Sequence, residues 1–122
     1  INNQEWICYG AWKPHWMNYI LDIKYLKEPE GKIWENPVSH VDTLSRKGLE
    51  ADYPEVYKFL EQFKPSTKAG DKWIYEIGQK EKDSGKVAEE WIENNLTKVE
   101  EWLEGVQAAN GRDAFTVLKE NI

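Results

Sequence analysis

The apolar positions of this 122-residue chain change period along its length. The first run, Trp6-Ile7-Cys8-Tyr9, is continuous, too short for a helix and rich in β-formers. It predicts a buried strand over residues 5–12, of the kind found in parallel sheets. Gly10 and Pro14 end it, and Trp16, Met17, Tyr19 and Ile20 then predict one or two helical turns. Residues 23–26 and 41–46 predict two further short strands, with Pro29, Gly31 and Pro37 marking a loop between them.

From residue 52 onward the period becomes helical. Asp52 and Pro54 have the form of an N-cap and first turn, ahead of an apolar face of Val56, Phe59, Leu60 and Phe63 that Pro65 stops. Trp73, Ile74 and Ile77 predict a helix ending near Gly78, and Val87, Ala88, Trp91 and Ile92 predict another. Thr97 with Glu100 reads as a capping box opening a helix that buries Val99, Trp102 and Leu103 and closes at Gly105. Asp113 is placed to cap a last helix carrying Phe115, Val117 and Leu118. Strands followed by so many helices suit part of a larger α/β lobe.

Charge narrows the function classes. A net charge of −6 argues against nucleic acid, whose phosphates need a basic surface, and against an anionic membrane surface. No apolar run approaches the roughly 20 residues that span a bilayer. The chain starts at Ile1 rather than Met, so the lack of a signal-peptide pattern says nothing about compartment. Cys8 is the single cysteine, and its apolar run suggests a small buried thiol.

Catalytic constellations are missing from the sequence. The histidines are His15 and His40, and there is no nucleophile elbow, phosphate-binding glycine loop, dinucleotide fingerprint or metal-ligand spacing. Glu89, Glu90, Glu93, Glu100 and Glu101 read as solvated helix faces beside lysines. The expectation is a protein that is not an enzyme and needs no cofactor or metal.

Trp12-Lys13-Pro14-His15-Trp16-Met17-Asn18 stands apart. It places two indoles and an imidazole just past a strand end, where open α/β sheets bind ligands. An indole face attracts a trimethylammonium group, and an imidazole N–H can hold a carboxylate. The same residues also suit plain packing, with His15 at a helix start, and from the residues alone both readings stand. Trp73, Trp91 and Trp102, by contrast, read as core.

The string Gly10-Ala11-Trp12-Lys13-Pro14-His15-Trp16-Met17-Asn18, with residues 21–31, 41–47, 52–60 and 87–103, closely resembles the glycine betaine/proline-betaine binding proteins of ABC importers. That resemblance implies the C-terminal part of a two-lobed, type II periplasmic-binding-protein-like clamshell of α/β class. Residues 1–12 would be a strand and hinge crossing between lobes, and residues 13–122 part of one lobe. It implies ligand binding by Trp12 in an aromatic cage and by His15 near the ligand carboxylate. Trp16 lies in the same motif and would pack behind the site. The remaining cage aromatics would come from residues upstream of Ile1. Implied partners are glycine betaine or a similar quaternary-ammonium osmolyte and the permease subunits of an ABC importer, in an extracytoplasmic setting. Leu96 departs from the expected pattern, where a proline would precede the last capping box. The competing classes are a structural or protein-interaction helical domain without a small-molecule site, and an aromatic-cage reader of methylated lysine.

Overall fold

The structure is a computed structural model and describes residues 6–26 and 41–122. Its elements run α1 (Met17–Ile20), α2 (Leu49–Asp52), α3 (Pro54–Gln62), α4 (Thr67–Gly78), α5 (Ser84–Glu93), α6 (Leu96–Trp102) and α7 (Ala114–Lys119).

Local chemistry sets the helix ends. Pro54 occupies the first turn of α3, where its missing N–H costs nothing. Ser66 Oγ accepts from the Ala69 amide to start α4, and Asp83 Oδ1 accepts from the Lys86 amide to start α5. Asp113 caps α7 as expected, accepting from both the amide and the hydroxyl of Thr116. These bonds, with the Lys119 charge nearby, hold its carboxyl below the usual carboxylate range. Gly105, at φ +64, supplies the left-handed residue after α6.

Two expected caps move. Asp52 is the last residue of α2, which the apolar pattern did not announce, and Asp52 pairs with Arg46 at 2.6 Å instead of capping α3. Helix α6 opens one residue before Thr97, at Leu96, with Asn95 as its N-cap and no side-chain cap. The capping-box reading of Thr97 and Glu100 is therefore corrected: Thr97 sits inside the helix.

The core lies where α3, α4, α5 and α6 converge. Trp91 and Trp102 stack, Trp73 meets Trp91 edge-on at 5.2 Å, and Phe63 meets Trp102 edge-on at 4.7 Å. Val87, Val99, Val106 and Phe115 are buried around them. From α3, Gln62 Nε2 donates to the Trp102 and Glu104 carbonyls, and Lys58 Nζ donates to the Gly105 carbonyl. The Trp102 carbonyl is one that the end of α6 leaves without an intrahelical partner, and the other two belong to the turn that follows it.

The strands are the main correction. Among the described residues no strand forms, and the one sheet-like feature is an isolated antiparallel bridge between Gln107 and Asp113. Residues 6–12 are neither helical nor paired, with Trp6 98% and Ile7 69% exposed, so this run is not the expected buried strand. Cys8 is exposed as well, which overturns its reading as a buried thiol. Residues 23–26 and 41–46 likewise carry no ladder, and Val41 and Leu44 face solvent. The physical reason is that β-forming side chains favour a strand only where a partner ladder and a covering layer exist. The first run does lie beside residues 23–26, sharing a cleft with them, but no ladder joins the two. The loop marks Pro29, Gly31 and Pro37, together with His40, fall outside the described residues.

Candidate functional site

Residues 12–18 form a loop and the first residues of α1, and side-chain bonds brace them from inside. Asn18 Nδ2 donates to the Trp12 carbonyl at 2.9 Å and to the His15 carbonyl at 3.1 Å. Tyr25 Oη donates to Asn18 Oδ1 at 2.7 Å, while Lys13 Nζ lies 4.7 Å from the Tyr25 ring centroid. The Lys13–Pro14 peptide is cis.

Within this frame the three motif rings come together. Trp12 meets His15 in a T-shaped arrangement with centroids 4.8 Å apart, and the Trp16 ring lies tilted against His15 at 5.4 Å. Trp12 is 61% exposed, whereas His15 and Trp16 are half-buried. Trp6 is not part of the cluster and stands in solvent.

The imidazole has a defined orientation. Its Nδ1 accepts from the Met17 amide at 3.3 Å, so the ring proton belongs on Nε2, which is left as the donor. His15 therefore does stand at a helix start, and the same bond fixes which nitrogen can donate to a ligand. The two readings of this residue are compatible.

Helix α4 seats the loop from outside. Asp71, 6% exposed, accepts the His15 amide proton at Oδ1 with an N···O distance of 2.6 Å. Beside it, Gly70 lets Pro14 approach so closely that an added Cβ would stand 3.2 Å from Pro14 Cβ. Tyr19 of α1 rests against Tyr75 of α4 at 5.4 Å. Sequence reasoning placed Asn18 in the motif without assigning it a role, and missed Gly70 and Asp71 as parts of this arrangement. The available signal was a glycine and an aspartate inside a helix, both poor helix formers there and so both requiring another reason to be present.

A second concavity, of about 420 Å³, opens among Phe59, Trp73, Val87, Trp91 and Trp102. Its indoles pack on one another, and its polar groups include the Ser84 hydroxyl and the Nε1–H groups of Trp73 and Trp102, the latter two buried without a hydrogen-bond partner. No charged side chain lines it, so a carboxylate entering there would be met by neutral donors alone. Among the described residues no group of histidine, cysteine, aspartate and glutamate is placed to hold a metal ion, and no helix is long and apolar enough to cross a membrane.

Comparison with known proteins bears on this geometry. Residues 1–94 match the family described as the substrate binding domain of ABC-type glycine betaine transport system. The glycine betaine/carnitine transport binding protein GbuC of Listeria monocytogenes serotype 1/2a (strain 10403S) is 33% identical over 105 residues. That alignment covers 86% of this chain and 34% of the relative, so the chain spans about a third of that relative's length. No solved structure matches.

Proposed function

Because the chain belongs to the family of substrate binding domains of ABC-type glycine betaine transport systems, we propose that it binds glycine betaine or a related quaternary-ammonium osmolyte at Trp12 and His15. In this reading the protein delivers its ligand outside the cytoplasm to the permease subunits of an ABC importer, in osmoprotection. Residues 1–12 serve as a crossing between the lobes of a clamshell, and residues 13–122 as part of one lobe. Closure of the lobes around ligand is the hinge motion by which an importer distinguishes loaded from empty protein. Hydrolysis of ATP falls to the partner.

The observation that carries the proposal is the exposed indole of Trp12 set 4.8 Å from an imidazole whose Nε2 is the donor. A betaine has two ends with opposite needs. Its trimethylammonium group offers no hydrogen-bond donor and is best held by ring faces, while its carboxylate calls for N–H groups. Trp12 and His15 meet both needs side by side. Trp16 packs against the imidazole and limits its motion. A helical interaction domain without a small-molecule site has the exposure of Trp6 and Ile7 in its favour. It accounts for the oriented imidazole as a helix-start contact but gives no use to the exposed Trp12 ring beside it.

The test is calorimetric titration of the full natural chain with glycine betaine, against Trp12→Ala. Loss of one desolvated ring face and its apolar contact costs about 1–3 kcal/mol of binding, or roughly tenfold to hundredfold in affinity. Folded Trp12→Ala protein with unchanged affinity would return the cluster to a packing role.

A further inference from the structure

We propose that Asp71 is a positioning residue for ligand binding: from inside α4 it sets the backbone, and through it the imidazole, of His15. This inference rests on the reading of Trp12 and His15 as the ligand site.

Asp71 is the buried charged residue among those described, in the interior of a helix where aspartate is a poor helix former. A carboxylate withdrawn from water is costly unless a donor compensates it. The donor here is the backbone amide of His15, at 2.6 Å, in a charge-assisted bond spanning 56 positions of sequence. The bond holds the Pro14–His15 peptide plane and hence the direction in which the His15 side chain leaves the backbone.

From that point the ring has little freedom. Its Nδ1 takes the Met17 amide proton, so a fixed backbone means a fixed Nε2–H direction. Asn18 ties the Trp12 and His15 carbonyls together, which makes the loop a unit. Those braces are internal to residues 12–18 and would hold the loop's shape without holding its place on the fold. Asp71 supplies the polar link from the loop to α4, and Gly70 supplies the close seat for Pro14 beside it. The arrangement gives a function to two residues that a free-standing helix would disfavour.

The experiment uses the full natural chain and measures glycine betaine affinity of folded protein, with Trp12→Ala and His15→Ala as references. Asp71→Ala is expected to weaken binding about tenfold, because the amide loses a charged acceptor and the imidazole its fixed direction. Asp71→Asn keeps an oxygen acceptor and is expected to stay within about threefold of the parent. The amide proton resonance of His15 should lie downfield in the parent and in Asp71→Asn and shift upfield in Asp71→Ala. If Asp71→Ala does not fold, Gly70→Ala decides. It leaves the carboxylate in place, wedges a methyl group against Pro14 and should weaken binding with little loss of melting temperature. Wild-type affinity in folded Asp71→Ala, or in Gly70→Ala where that variant decides, would overturn the positioning role if Trp12→Ala and His15→Ala do lose binding. An Asp71→Asn variant as weak as Asp71→Ala would overturn the hydrogen-bond account. Unchanged affinity in both Trp12→Ala and His15→Ala would remove the site reading itself, and this inference with it.

Discussion

The indoles of Trp91 and Trp102 lie parallel to within 10° with centroids 5.1 Å apart, joining α5 to α6. Trp102 is buried and Trp91 half-buried, and both rings line the apolar concavity. Trp102→Ala should destabilise the fold by about 3–5 kcal/mol, and Trp91→Ala by about 2 kcal/mol. Denaturant unfolding measures both. Equal, small losses would mean that the stack is not part of the core. Since neither ring belongs to the ligand cluster, the betaine affinity of folded Trp91→Ala should match the parent.

Ser66 caps the helix on which the motif loop is seated. Ser66→Ala should cost about 1 kcal/mol, seen as a melting temperature a few degrees lower. Ser66→Asp should preserve or raise stability, because a carboxylate can accept the same amide and complements the positive end of the helix dipole. A drop of similar size in both variants would argue against capping as the cause.

Glu76 and Lys82 form an ion pair at the end of α4, with Glu90 of α5 3.8 Å from the same ammonium group. The hydrogen bond with Lys82 holds the Glu76 carboxyl below its ordinary value, and the bond with Glu76 holds Lys82 above its own. The Glu76 contribution is therefore present above the ordinary carboxylate range and is lost as pH falls through the lowered folded value. The Lys82 contribution is complete below the ordinary lysine value and is lost as pH rises through the raised folded value. The melting-temperature gap between the parent and Glu76→Gln should form a plateau around neutrality and shrink at both extremes. Glu93→Gln, on an exposed face, is the control. A gap that persists undiminished at about pH 3 would show that the pair is not its source.

His15 separates ligands by their anionic end. His15→Ala should weaken glycine betaine more than choline, because choline carries no carboxylate for the Nε2–H to hold. Trp12→Phe should recover part of what Trp12→Ala loses for either ligand, since a smaller ring face remains. Parallel titrations with the two ligands give the comparison. Equal losses of both ligands in His15→Ala would place the imidazole beside the ammonium group rather than the carboxylate.

Much of this protein was legible in its sequence because the deciding interactions are local. Pro54, Gly105 and Asp113 mark helix ends through bonds and backbone angles that reach only a few residues, and the helices from α3 to α7 fall where the apolar period places them. The motif around Trp12 and His15 also announced itself, since its rings are near neighbours in the chain and meet within seven residues. What lay beyond the sequence depends on partners far along it. Residues 6–12 have the composition of a strand, but a strand exists only where another supplies its ladder, and none does among the described residues. Capping at Asp52 and Thr97 failed for a related reason: the sequence shows an acceptor three residues before a glutamate, whereas the fold decides whether that acceptor stands at the helix end or, as with Asp52 and Arg46, pairs elsewhere. Asp71 is the clearest case. Its aspartate looks like one more helix-surface charge until tertiary packing brings the His15 amide to its carboxylate, because a bond spanning 56 residues leaves no periodic trace in the chain that forms it.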